Sequence, residues 1–103
     1  MKIPGNVKIG GIDYKIEKSN NIWDGSVLLD GDIQYGQAII RLNCDTMKSH
    51  DRICSVLWHE ILHGIATHAN LKLPQEEAET IIDTLANGIY QVIKDNKELF
   101  DND

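Results

Sequence analysis

The chain has 103 residues, of which 42% are hydrophobic and 25% are charged, which is typical of a soluble globular domain and excludes disordered and fibrous classes. We expect residues 1–103 to form a single minimal domain, because this length allows only one hydrophobic core. Asp and Glu number 16 against 10 Lys and Arg, and the net charge of −6 argues against a nucleic-acid partner, since phosphate binding needs a basic face.

The first third of the chain predicts short strands. Residues 7–17 alternate apolar and polar side chains around Gly10 and Gly11, a pattern typical of two strands joined by a tight turn. The segment that follows is rich in Asn, Asp and Gly, and it predicts a loop with short strands near residues 27–29 and 33–35.

The sequence QAIIRLN, residues 37–43, predicts a further strand. Ala38, Ile40 and Leu42 point to one face and their neighbours point to the other. An extended peptide can add to the free edge of a sheet as another strand. We expect this segment to offer such an edge to a peptide, and an interior position in the sheet is the alternative.

Two helices are predicted in the second half. Candidate N-caps at Asp45, Thr46 and Ser49 predict a helix that begins near residues 46–50 and ends near His68. Pro74 suits the first turn of a second helix over residues 75–94. The chain therefore predicts an α+β fold, with a small N-terminal antiparallel or mixed sheet followed by two packed helices.

The first predicted helix carries HEILH, residues 59–63, inside the mostly apolar run VLWHEILHGI. Residues four apart project from one face of a helix, so His59 and His63 can hold one metal ion. Glu60 is rotated by about 100° from His59 and can reach a water on that ion. In the H-E-x-x-H motif two histidines bind zinc and the glutamate is the general base. The alternative is two core histidines beside a chance glutamate.

A zinc ion held by two histidines needs a third protein ligand, and the second helix offers acids for it. Glu79 and Asp83 are four apart and share a helix face, so one can bind zinc while the other accepts a hydrogen bond from a ligating histidine. Glu76 and Glu77 have no acid four residues later and suit a solvated first turn. Glu79 is therefore the favoured third ligand.

HEILH followed by ETIID on the next helix resembles the gluzincin branch of the zincin metallopeptidases, whose pattern is H-E-x-x-H and then E-x-x-x-D. The sequence around both motifs is similar to small metallopeptidase-like proteins of bacteriophages and prophages. The resemblance implies one zinc per chain, with His59, His63 and Glu79 as ligands, Glu60 as the general base and Asp83 as the hydrogen-bond partner of a ligating histidine. The gap from His63 to Glu79 is shorter than in the large gluzincins.

The resemblance implies zinc-dependent hydrolysis of a peptide bond in a peptide or protein substrate. Two alternatives stay open: a zinc-stabilised binding or regulatory module without turnover, and a peptidase of a mobile element that cleaves a regulator. We expect a cytoplasmic protein of a bacterial host cell with no membrane partner, because the chain shows neither a signal-peptide run nor about 20 consecutive apolar residues. Candidates for a second donor to the reaction's oxyanion are His68, Tyr35, Tyr14 and Tyr90.

Overall fold

The computed structural model describes residues 1–100 and has the predicted α+β architecture. In chain order the elements are β1 (Asn6–Ile9), β2 (Ile12–Lys18), β3 (Trp23–Asp24), β4 (Val27–Leu28), β5 (Gly31–Gln34), β6 (Ile39–Leu42), α1 (His50–His68), α2 (Ala78–Asp95) and a short 3₁₀ helix (Lys97–Phe100). None of the helices within residues 1–100 has the length and apolar character needed to cross a membrane. The last three residues of the predicted 1–103 domain lie outside the described part.

The main sheet is mixed, with the strand order β1-β2-β6-β5. The predicted hairpin is confirmed: β1 and β2 are antiparallel, and they are joined by Gly10 at φ +58° and Gly11 at φ +82°, a conformation that glycine adopts without steric cost. β2 pairs with β6 in parallel, and β6 pairs with β5 in the antiparallel sense. β3 and β4 form a separate two-stranded hairpin.

The expectation that residues 37–43 offer a free sheet edge is wrong, because β6 lies between β2 and β5. A turn between Tyr35 and Ala38 folds β5 back onto β6 and sets Ile33 opposite Ile40. The predicted alternation of β6 is correct, since Ile40 and Leu42 are both fully buried. The interior alternative therefore holds, and β5 is the edge strand on that side of the sheet.

The helix α1 covers one face of this sheet. Ser49 is its N-cap, one of the three predicted, and the Ser49 side chain accepts a hydrogen bond from the backbone N–H of Arg52 at 3.1 Å. Leu57 and Ile61 enter the core together with Ile40 and Leu42 of β6. Burial of these apolar side chains stabilises the packing of α1 on the sheet.

The helix α2 packs on α1 through Ile82, Ala86 and Tyr90, which recur every fourth residue and are buried. It begins at Ala78 rather than at Gln75 as predicted. The reason is that the chain forms a turn first, in which the Glu77 backbone N–H donates to the Pro74 carbonyl at 3.1 Å.

Asp51 joins the two helices at their polar rim. Tyr90 Oη donates a hydrogen bond to Asp51 Oδ1 at 2.6 Å, and Lys94 Nζ lies 2.8 Å from Asp51 Oδ2. The hydrogen bonds from Lys94 and Tyr90 hold the pKa of Asp51 below its ordinary value of 3.8. Because the folded pKa is depressed, the contribution of Asp51 to stability is complete above pH 3.8 and is lost as the pH falls through the lower, folded value.

We expect Asp51→Asn to lower the free energy of unfolding at neutral pH and to make its decline in acid less steep. The measurement is urea unfolding followed by circular dichroism between about pH 3 and about pH 7. Asp95→Asn is the matched control, because Asp95 accepts a hydrogen bond from Gln91 within α2 and does not join the helices. An unchanged pH profile in Asp51→Asn would show that the contacts of Asp51 with Tyr90 and Lys94 contribute nothing to stability.

Candidate metal centre

The structure brings the three predicted ligand side chains together between α1 and α2. His59 and His63 lie on successive turns of α1, and Glu79 lies in the first turn of α2. His63 Nε2 is 2.8 Å from Glu79 Oε1, and His59 Nε2 is 3.1 Å from Glu79 Oε2. The two histidine Nε2 atoms are 3.2 Å apart. Two imidazoles and one carboxylate thus converge on one point and could hold a metal ion.

Asp83 completes this arrangement from the next turn of α2. Asp83 Oδ1 lies 3.3 Å from His59 Nδ1, where it can accept the imidazole's N–H. A neutral imidazole carries a single ring proton, so a proton on Nδ1 leaves a lone pair on Nε2. In His59 this lone pair faces the carboxylate of Glu79. Acceptors that face one another are unfavourable unless a cation or proton lies between them.

The donor set fits zinc better than the other common metal ions. Nitrogen and oxygen ligands bind zinc at about 2.0–2.2 Å in a tetrahedron, which places neighbouring ligand atoms about 3.3 Å apart. The separations of 3.1 Å and 3.2 Å around His59 Nε2 are close to that value, and the 2.8 Å between His63 Nε2 and Glu79 Oε1 is shorter than it. Calcium and magnesium prefer sets of oxygen ligands and would leave the two imidazoles without a role. Two histidines and a glutamate are a known ligand set of catalytic zinc sites.

His63 is electrostatically suited to this role. Burial lowers the pKa of His63, and the positive charge of a protonated His59 would add to this, while the negative charge of Glu79 opposes it. The neutral imidazole, which is the form that binds metal, is therefore favoured near neutral pH.

Glu76 and Glu77, the other acids considered as ligands, are exposed and lie outside the cluster.

Glu60 lies on the same turn of α1 but is turned toward β5. Its side chain lines the same cleft as the two histidines, and the residue is only 7% exposed. Burial raises the pKa of Glu60 to about 8, and the charges of Asp32 and Glu79 add to the shift. A cation held by the neighbouring histidines would oppose this shift and favour the carboxylate form.

Gly31 allows β5 to pass close to Glu60. A Cβ atom at this position would lie 2.8 Å from Val56 Cγ1, 2.9 Å from the Arg41 carbonyl oxygen and 3.6 Å from Glu60 Oε2. Any larger residue would therefore separate the edge strand from α1. Sequence reasoning missed this residue, and its available signal was a glycine at the start of a strand, which marks a close approach of the backbone.

We expect Gly31→Ala to lower the free energy of unfolding by about 1–3 kcal/mol, because the new methyl group overpacks against the Arg41 backbone. Thermal and urea unfolding measure this effect. Gly36→Ala is the control, since a Cβ atom at Gly36 would meet no atom within 4 Å. Equal stability of the two variants would mean that β5 does not need to approach α1 so closely.

The cleft above the candidate metal centre has a volume of about 490 Å³. One wall is β5 together with the end of the β3–β4 hairpin, and the other is formed by the two helices. Two of its acids are paired with arginines: Arg52 with Asp30 at 3.0 Å, and Arg41 with Asp32 at 2.9 Å. Six acids and two histidines are among the residues that line the cleft, which suits a ligand with polar groups rather than a purely apolar one.

Of the four candidates for an oxyanion donor, Tyr35 is the one that lines the cleft. Thr67 Oγ1 donates a hydrogen bond to Tyr35 Oη at 2.9 Å, which leaves the tyrosine's own O–H free to donate. Tyr14 is buried and its hydroxyl is 2.7 Å from His68 Nε2, while the Tyr90 hydroxyl is bonded to Asp51. Tyr14, His68 and Tyr90 therefore make structural hydrogen bonds outside the cleft.

Comparisons with protein-family models, with curated proteins and with solved structures found no match. The likeness to gluzincins therefore stays a prediction from HEILH and ETIID. Apart from those motifs, the structure provides a mixed sheet, two packed helices and a His–His–Glu cluster in a cleft. These features define the class as a small α+β protein with a candidate metal centre.

Proposed function

We propose that the protein is a zinc-dependent metallopeptidase that acts in the cytoplasm of a bacterial cell and is encoded by a phage or prophage. One observation carries the proposal: the Nε2 atoms of His59 and His63 meet the Glu79 carboxylate in a cleft that Glu60 also lines. A structural zinc site is usually closed by four protein ligands. Three ligands beside a buried carboxylate in an open cleft suit a catalytic site better.

Each side chain has a distinct role in the proposed reaction. Zinc, when bound, would polarise the substrate carbonyl and increase the acidity of a water molecule. Glu60 accepts a proton from the water as its oxygen attacks the carbonyl carbon, and transfers that proton to the amine as the C–N bond breaks. Asp83 holds the His59 ring in position through Nδ1. Tyr35, which lines the same cleft, is the proposed donor of a hydrogen bond to the oxyanion that develops.

The edge strand β5 is the proposed binding site for the peptide backbone. It is the terminal strand of the sheet, so one side of its backbone is not paired within the sheet. Gly31, Asp32 and Ile33 line the cleft that also contains Glu60. A peptide that adds to β5 as a further strand would pass directly over the candidate metal centre. This assignment replaces β6, which is interior.

Metal analysis combined with a cleavage assay tests the proposal. We expect about one zinc per chain in the purified protein, and cleavage of an unfolded protein mixture that stops with a chelator and returns on addition of zinc. His59→Ala is the control for contaminating peptidases, because it removes one of the three proposed ligands. Cleavage that persists in His59→Ala, or that resists the chelator, would contradict the proposal.

A zinc-stabilised binding or regulatory module is the second candidate. The observation that favours it is the exposure of the centre, since the Glu79 side chain is 72% exposed and offers little exclusion of water. Stoichiometric zinc without turnover of any peptide would select this alternative. A peptidase that cleaves one regulator shares the proposed chemistry and would instead show turnover restricted to that substrate.

A further inference from the structure

The helix α2 has two apolar faces, and within residues 1–100 only one of them is buried against α1. Ile82, Ala86 and Tyr90 are buried against α1. A second stripe contains Leu85 and Val92, which are 52% and 43% exposed. A helix on the surface of a monomeric protein normally presents polar residues on its outer face. The second stripe therefore calls for a partner.

This stripe forms one side of an apolar groove with a volume of about 500 Å³. Apolar side chains from both helices and from the C-terminal 3₁₀ helix line it: Trp58, Leu85, Ile89, Val92, Ile93 and Phe100. The neighbouring Leu99 is 63% exposed and Phe100 is 60% exposed, so the 3₁₀ helix enlarges the apolar surface rather than covering it. Exposed apolar surfaces of this kind mark sites of protein association.

The charge pattern indicates which partner fits. Residues 84–93 include no Asp, Glu, Lys or Arg, although 25% of the whole chain is charged. With a net charge of −6, two copies of this chain repel one another wherever their acidic surfaces meet. An uncharged face is where two such copies can associate without that repulsion. A basic partner would instead be recognised through acids on the face that it contacts.

We propose that the outer face of α2, defined as Leu85, Gly88, Ile89 and Val92, binds the same face of a second copy in an antiparallel helix pair. Gly88 lies near the centre of this face, and a Cβ atom there would meet no atom within 4 Å. A glycine at the crossing point lets the two helices approach closely. Two-fold symmetry then places Leu85 of each copy against Val92 of the other.

Sedimentation velocity and light scattering on the full chain between about 1 μM and about 1 mM test this proposal. We expect a reversible dimer, and Leu85→Glu should weaken it by at least about 100-fold, because symmetry places the new charge in the interface twice. Leu71→Glu is the matched control, since Leu71 is 60% exposed in the connection between the helices and lies outside the groove. A monomer at every concentration, or a dimer that Leu85→Glu leaves unchanged, would overturn the proposal.

Disulfide cross-linking tests the position of the crossing. Helix axes that pack about 8–10 Å apart bring facing Cα atoms to about 3.4–5.4 Å, which overlaps the range of about 4.4–6.8 Å found in disulfides. Gly88→Cys should therefore give a covalent dimer on mild oxidation. Asn87→Cys, which is exposed but rotated by about 100° on the helix, should not exceed the wild-type background. Equal cross-linking of the two variants would overturn the assignment of Gly88. The test needs neither metal nor substrate, so its outcome is independent of the peptidase proposal.

Discussion

Glu60→Gln is expected to abolish peptide-bond cleavage while the protein keeps its fold and its zinc. The amide has nearly the same volume as the carboxylate, so it fills the same site beside β5. It cannot accept the proton from the attacking water, and loss of a general base typically costs about 10²–10⁴-fold in rate. The measurement is the cleavage rate at saturating substrate, together with metal content and circular dichroism.

The pH dependence of the stability of the metal-free protein is a second test of Glu60→Gln. Burial raises the pKa of Glu60 from 4.5 to about 8. The folded wild type therefore binds a proton at the Glu60 carboxylate more tightly than the unfolded chain does. The contribution of Glu60 to the free energy of unfolding therefore falls as the pH rises from 4.5 to about 8. In chelator, Glu60→Gln should lack this fall. Glu76→Gln, at an exposed acid outside the cluster, should behave like the wild type. Undiminished turnover in Glu60→Gln would remove Glu60 from the mechanism.

Glu79→Ala is expected to cause the largest loss of metal, because it leaves only two histidines around the ion. Asp83→Ala should weaken zinc binding by about 10–100-fold, since Asp83 only orients the His59 ring. Both side chains are more than half exposed, at 72% and 52%, so neither substitution opens a cavity in the core. Competition with a chromophoric chelator measures both affinities on the folded proteins.

The order of these two effects distinguishes the assigned roles. Glu76→Ala is the control, because Glu76 is an exposed acid just before α2 and lies outside the cluster. A site emptied by Asp83→Ala but not by Glu79→Ala would exchange the two roles. If neither change affects the metal, Glu76 or Glu77 becomes the third ligand, and the likeness to E-x-x-x-D is a coincidence.

Several features of the protein could be predicted because they depend on residues that are close in the chain. The rise and twist of a helix alone place His59 with His63 and Glu79 with Asp83. The Gly10-Gly11 pair specifies the hairpin turn in the same local way. Alternation along residues 37–43 correctly placed Ile40 and Leu42 on one face of the strand, and both are buried in the structure. These local patterns are sufficient to predict the fold class. They also predict the two pairs of candidate residues, one on each helix, but not that the pairs meet.

Tertiary structure alone decided how these local units meet. The sheet order places β6 in the interior and β5 at the edge, because pairing between strands depends on contacts that no local pattern encodes. The same packing brings Gly31 next to Glu60 and joins the Glu79–Asp83 pair to the histidines. Helical periodicity specifies which side chains share a face, but the partner of that face is set by how the whole chain buries its apolar surface.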